Sequence, residues 1–151
     1  MGNESGKVIY DGHIIAAHNG KLIGENKRFS FGDYNLYIID NKNYKKLDYE
    51  NHYEEFFDAA SLALFDYKRK SNCEGFVLSL SGGLDSSTVA IMVSEMIKRA
   101  IKNIGLDLFI NRFKLKLDEI EYKKIIKLKK KQLYKELTKK ILVTAYQKSK
   151  N

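Results

Sequence analysis

An apolar run that turns through two glycines into a row of hydroxyls leaves a chain few structural options. Gly75–Ser87 reads GFVLSLSGGLDSS. Phe76, Val77, Leu78 and Leu80 suit a parallel strand covered on both faces. Ser81, Gly82 and Gly83 then form a turn, and Asp85, Ser86, Ser87 and Thr88 open a helical segment. Val89, Val93, Met96, Ala100 and Ile104 recur three or four apart, as on a helix burying one stripe. Strand, glycine turn and helix start make a phosphate-binding geometry: the first-turn N–H groups point at the anion and the helix dipole favours its charge. Both glycines are expected to take positive φ and let the anion approach unhindered.

The stretch is not a Walker A loop, which needs a longer glycine span and a lysine before the hydroxyl. It also lacks the glycine spacing of the dinucleotide fingerprint. Asp85 stands where that lysine would be, and an acid inside a phosphate loop repels its ligand unless a metal intervenes. Asp85 therefore reads as a magnesium ligand or as the N-cap of the helix.

Elsewhere the chain alternates between two textures. Lys7–Ala17 and Lys21–Phe29 flank Asn19-Gly20, a strong hairpin signal, and Asn35–Asp40 (NLYIID) reads as a further strand. After the polar Asn41–Tyr49 the period becomes helical. From His52 an apolar stripe of Phe56, Phe57, Ala60, Ala63, Leu64 and Tyr67 is expected inside, with Glu54, Glu55, Asp58 and Lys68 outside, until Ser71-Asn72. Gly105 breaks the next helix, Leu117–Leu128 is expected to be helical, and Lys130–Lys148 places Leu133, Leu137, Ile141 and Ala145 on one face.

The net charge of +8 sits mostly in Lys98–Lys150. Few aromatics or arginines interleave there, so a solvated helix face explains it better than a nucleic-acid patch. One cysteine, Cys73, permits no internal disulfide, and His13, His18 and His52 lack metal-ligand spacing. No stretch is long and apolar enough to cross a membrane, so the expected setting is cytoplasmic, without membrane or nucleic-acid partners.

The letters SGGLDSS resemble the pyrophosphate-binding loop of the ATP pyrophosphatase (PP-loop) families. Gly2–Phe31 resembles the end of the nitrilase-type glutaminase domain of glutamine-dependent NAD synthetases. EEFFDAASLALFDYKRKSNCEGFVLSLSGGLDSS resembles their linker helix and synthetase entry, and Ile141–Asn151 (ILVTAYQKSKN) resembles a segment of their deamido-NAD site. The resemblance implies an α/β chain: the tail of a nitrilase-like sandwich over residues 1–48, then the first strand-loop-helix of a doubly wound PP-loop sheet over 49–151.

It also implies a reaction. ATP adenylates deamido-NAD, pyrophosphate leaves, and glutamine-derived ammonia displaces AMP. Ser79, Leu80, Ser81, Gly82, Gly83, Leu84, Asp85 and Ser86 would surround ATP, with Asp85 on magnesium, while Tyr146, Gln147 and Asn151 would face deamido-NAD. The complete enzyme would be a homo-oligomer. The family's Glu/Lys/Cys glutaminase triad and its later strands have no counterpart here, so the chain is expected to be an internal piece, inactive alone. Two alternatives remain: another PP-loop amidotransferase such as an asparagine synthetase, and a non-catalytic module binding nucleotide or a partner subunit.

Overall fold

A computed structural model describes residues 2–3, 8–39, 47 and 51–146. The first part is β-rich. β1 (Gly2–Asn3) pairs antiparallel with β2 (Ile9–Tyr10), and β3 (Ile15–His18) with β4 (Lys21–Glu25). The β3–β4 turn is the expected one, with Asn19 and Gly20 both at positive φ, 49° and 72°. Buried Asn26 ties off the hairpin: its Oδ1 accepts from Ile14 N–H and its Nδ2 donates to Gly12 O.

Residues 35–39 do not form the expected strand. Their alternation is real, since Tyr37 and Ile39 lie over Gly24 where a side chain would stand. Their backbone nonetheless joins no ladder among the described residues, and Leu36 and Ile38 face outward. Asp40 lies outside the described residues.

Helix α1 (His52–Ser71) starts where Asn51 accepts from Tyr53 N–H and Glu54 N–H, and stops at Asn72 in the left-handed region, φ 61°. Glu54 and Glu55 in its first turn and Lys68, Arg69 and Lys70 in its last suit the helix dipole. Its buried stripe differs from expectation. Leu62 and Phe65 enter the core with Ser61, Asp66 and Lys68, while Phe56 and Tyr67 are exposed. The helix is rolled toward its neighbours because Phe65 seats among three aromatic rings, a stronger anchor than the rim residues. Phe31 meets it edge-on at 5.2 Å, and Phe109 and Phe113 lie at 6.2 and 5.7 Å.

β5 (Phe76–Ser79) leads into α2 (Leu84–Ile104), which Gly105 ends at φ 82°. α2 buries Val93, Met96, Ile97 and Ala100. Val89, expected on that stripe, is 41% exposed. α3 (Leu106–Arg112) follows, a helix the sequence reading did not separate. α4 (Glu119–Ile125) is shorter than Leu117–Leu128 because a capping box between Asp118 and Glu121 sets its start; Ile120 is exposed and Ile125 buried.

α5 (Lys130–Ile141) buries Leu133, Leu137 and Ile141 as expected, but it does not run to Lys148. Leu142–Ala145 is a strand, β6, parallel to β5 with Phe76 opposite Leu142 and Ser79 opposite Ala145. Ala145 is therefore exposed on a strand, not on a helix face. The reason is local: Leu142, Val143 and Thr144 favour a pleated surface, and β5 offers an open edge. Gly75 permits the close approach, since any side chain there would meet the Ile141 carbonyl.

The N-terminal part docks through Phe31, which is buried. Its N–H donates to Asn103 Oδ1 on α2, and its carbonyl accepts from Arg112, which also pairs with Asp33 at 2.7 Å. Among the described residues no helix is long and apolar enough to cross a membrane.

Candidate phosphate-binding site

The loop between β5 and α2 is shaped by few atoms. Leu80 N–H donates to Ala145 O at 2.8 Å, carrying the parallel pairing one residue past β5. Gly82 then takes φ +82°, and nothing stands within 4 Å of where a side chain would project. Gly83 departs from expectation. Its φ is −81° with ψ 171°, ordinary extended backbone, because it is the N-cap of α2. Only Gly82 needs the left-handed region.

With Gly83 as the cap, Asp85 falls inside the first turn of α2 and is not the N-cap. No side chain caps this end. The N–H groups of Leu84, Asp85 and Ser86 thus lack carbonyl partners within the helix and face the loop. Asp85 itself is exposed, and among the described residues no cluster of three His, Cys, Asp or Glu could hold a metal. One carboxylate at an open helix end suits a magnesium ion whose other ligands are phosphate oxygens and water.

The hydroxyls bond among themselves and to the helix start. Ser81 Oγ accepts from Gly83 N–H at 3.3 Å and lies 3.1 Å from Ser86 Oγ, so these two close the loop. Ser86 Oγ also donates to Gly83 O at 3.2 Å, an acceptor it shares with Ser87 Oγ at 2.8 Å. Thr88 Oγ1 donates to Leu84 O at 2.8 Å. Ser87 and Thr88 thus turn back onto the helix backbone, while Ser86 is divided between the backbone and Ser81.

β5 and β6 are parallel neighbours, so the loop and Tyr146 emerge from the same end of the sheet. Ser79 opposes Ala145, and Tyr146, exposed, is the next residue. In open parallel sheets ligands lie at the carboxyl ends of strands. The structure thus brings Tyr146 beside Ser79–Ser86. Gln147 and Asn151 lie outside the described residues. The sequence reading missed the strand that makes this neighbourhood. Its signal was the β-branched pair Val143-Thr144 directly after a lysine-rich helix.

The chain is similar to proteins of known family. The family model described as NAD synthase matches residues 57–135, over half of the chain. A glutamine-dependent NAD(+) synthetase of Arabidopsis thaliana is 41% identical over 61 residues, covering 40% of this chain and 8% of that protein. One of Thermotoga maritima is 44% identical over 52 residues, 34% of this chain and 9% of that protein. The crystal structure of a glutamine-dependent NAD(+) synthetase from Cytophaga hutchinsonii superimposes on the whole chain with a TM-score of 0.84 and 42% identity. The chain spans 25% of that structure's length, and smaller shares of the two curated relatives.

Proposed function

Because the chain belongs to the NAD synthase family, we propose that it carries the ATP-phosphate end of a site that amidates deamido-NAD to NAD. One observation carries the reading: an uncapped helix start, an open Gly82 turn and Tyr146 share the carboxyl end of one parallel strand pair. Residues 1–48 close the glutaminase part of the longer protein, and 49–151 open its synthetase part.

In this reading the amides of Leu84, Asp85 and Ser86, with Ser81 and Ser86 Oγ, hold the β- and γ-phosphates of ATP. They are aimed where negative charge grows as the nicotinate carboxylate oxygen bonds to the α-phosphorus and the bond to pyrophosphate breaks. Asp85 holds magnesium, which supplies charge neutralisation for the leaving pyrophosphate. Tyr146, with Gln147 and Asn151 beyond it, contacts deamido-NAD. Ammonia from glutamine then adds to the acyl carbon, a proton is lost and AMP departs with the C–O bond. The reading extends to a cytoplasmic homo-oligomer using ATP, magnesium and glutamine.

The test is deamido-NAD-dependent exchange of labelled pyrophosphate into ATP, in the protein that carries this chain. Ser81→Ala is expected to lower the exchange roughly tenfold or more, the usual worth of a charge-assisted donor, while glutamine hydrolysis persists. Exchange that is unchanged in Ser81→Ala and in Gly82→Ala would overturn the assignment.

A further inference from the structure

A second polar concavity lies away from the loop. A cleft of about 720 Å³ opens between residues 27–31, α1, the carboxyl half of α2 and the start of α5. Its wall on α2 begins at Glu95 and runs to Asn103. At 1.5 Å per residue, these positions stand roughly 16–28 Å along the helix from Leu84. The cleft is therefore separate from the loop.

Its charge is unbalanced in a specific way. Six basic and three acidic side chains line it. All three acids are already engaged: Glu54 and Asp58 each accept from Arg99 at 2.6 Å, and Glu95 accepts from Lys98 at 2.6 Å. Arg28 is held by Glu55 at 2.6 Å. The three ammonium groups of Lys27, Lys102 and Lys130 are left, and among the described residues none makes an ion pair. Lys27 follows β4, Lys102 is on α2 and Lys130 on α5, so the fold gathers them.

Two further features suit a ligand. Half-buried Phe29 and Tyr134 supply apolar wall beside the ammonium groups. Phe29 also sits at φ +57°, a conformation a bulky residue rarely adopts. It is held there by its N–H on Asp11 O at 2.8 Å and by the Arg28 guanidinium 5.5 Å from its ring centroid. Backbone strain of this kind concentrates at ligand clamps and switch regions.

We propose that this cleft binds a small phosphate-bearing polyanion, with Lys27, Lys102 and Lys130 on the phosphates and Phe29 and Tyr134 against whatever the phosphates are attached to. The volume is that of a small-molecule site. A surplus of three cations beside acids already engaged selects a multiply charged anion over a neutral or cationic ligand.

The experiment titrates inorganic pyrophosphate and ADP, separately, into the full chain while ring signals of Tyr134 and the amide of Gly82 are followed by NMR. The two sites are then read independently. Saturable shifts at Tyr134 are expected with both anions. Lys102→Gln/Lys130→Gln, both at exposed positions, should weaken the Tyr134 titration at least about tenfold and leave the Gly82 titration as it was. Tighter binding of ADP identifies a nucleotide as the ligand type; equal binding identifies phosphate recognition alone. No shift at Tyr134 with either anion, or equal titrations in the chain and its variant, would overturn the proposal. The phosphate-loop reading is unaffected by either result, because Gly82 reports it separately.

Discussion

The ammonium of Lys68 donates to the carbonyl oxygen of Phe113 and lies 4.5 Å from the centroid of the same residue's ring. Lys68 is only 2% exposed, so α1 closes the end of α3 with a buried cation. Burial lowers its pKa.

Two substitutions separate the stem of Lys68 from its charge. Lys68→Met keeps the length and apolar packing but leaves the Phe113 carbonyl unanswered, and is expected to cost about 1–3 kcal/mol. Lys68→Ala leaves the same carbonyl unanswered and adds a cavity, and should cost about 2 kcal/mol more. Urea unfolding of both variants checks this order. The pH profile adds a sign. The unfolded chain binds this proton more tightly than the folded one, so wild-type stability should rise as pH climbs from the depressed folded pKa toward the ordinary lysine range. Lys68→Met should remove that rise.

Gly82 and Gly83 are adjacent but should not respond alike. Alanine at Gly82 must adopt φ +82°, which costs about 1–2 kcal/mol of strain. Alanine at Gly83 fits its φ of −81° and loses only the better N-cap, about 1 kcal/mol at most. Thermal melts should rank Gly82→Ala below Gly83→Ala, and so should ATP affinity. The reverse ranking would mean that the loop is held differently.

Asp85→Asn should change stability little. Asp85 is not the cap, and the lost charge–dipole attraction in the first turn is worth about 0.3–1 kcal/mol. Its effect should appear instead as a higher magnesium concentration needed for pyrophosphate exchange. A large fall in melting temperature with unchanged magnesium dependence would make Asp85 structural.

The Arg99 cluster predicts acid sensitivity. The hydrogen bond and charge of Arg99 hold the Glu54 carboxyl below its ordinary range. A carboxylate with a depressed folded pKa stabilises above its unfolded value, and the benefit is lost as pH falls through the folded one. The melting temperature should therefore drop as pH falls from about 5 toward 3, and Arg99→Met should show a shallower drop from a lower start.

How legible the chain was depended on how local each signal is. Gly82, the α2 stripe from Val93 to Ala100, the Asn19-Gly20 turn and the α1 boundaries were readable because each is decided within a few residues. Family membership was readable for the same reason: SGGLDSS and its flanks are contiguous letters. The largest errors were decided by distant partners. Leu142–Ala145 is a strand because β5 lies beside it, and helical period alone could not show that. Lys68 is inside because Phe113, 45 residues later, offers a carbonyl. At Gly83, two glycines in a row look equivalent in sequence, and only the position of the helix start assigns different φ to each. Gln147 and Asn151 fall outside the described residues, so their expected contacts stand as proposals.

The hydrogen bond from Leu80 N–H to Ala145 O has a consequence in time. Its two ends are far apart in the chain, so the turn that presents Gly82 cannot take its final shape from local contacts alone. On a ribosome adding about 5–20 residues per second, the acceptor is made on the order of 3–13 s after the donor. During that interval β5 has an unsatisfied edge and Val77, 82% exposed even in the folded chain, has no cover. Pairings this remote in sequence are slow to form. The phosphate loop should therefore be among the last features to mature, after the helices between its two anchors have condensed, and a block in translation before Ala145 should leave those helices formed and the loop without its register.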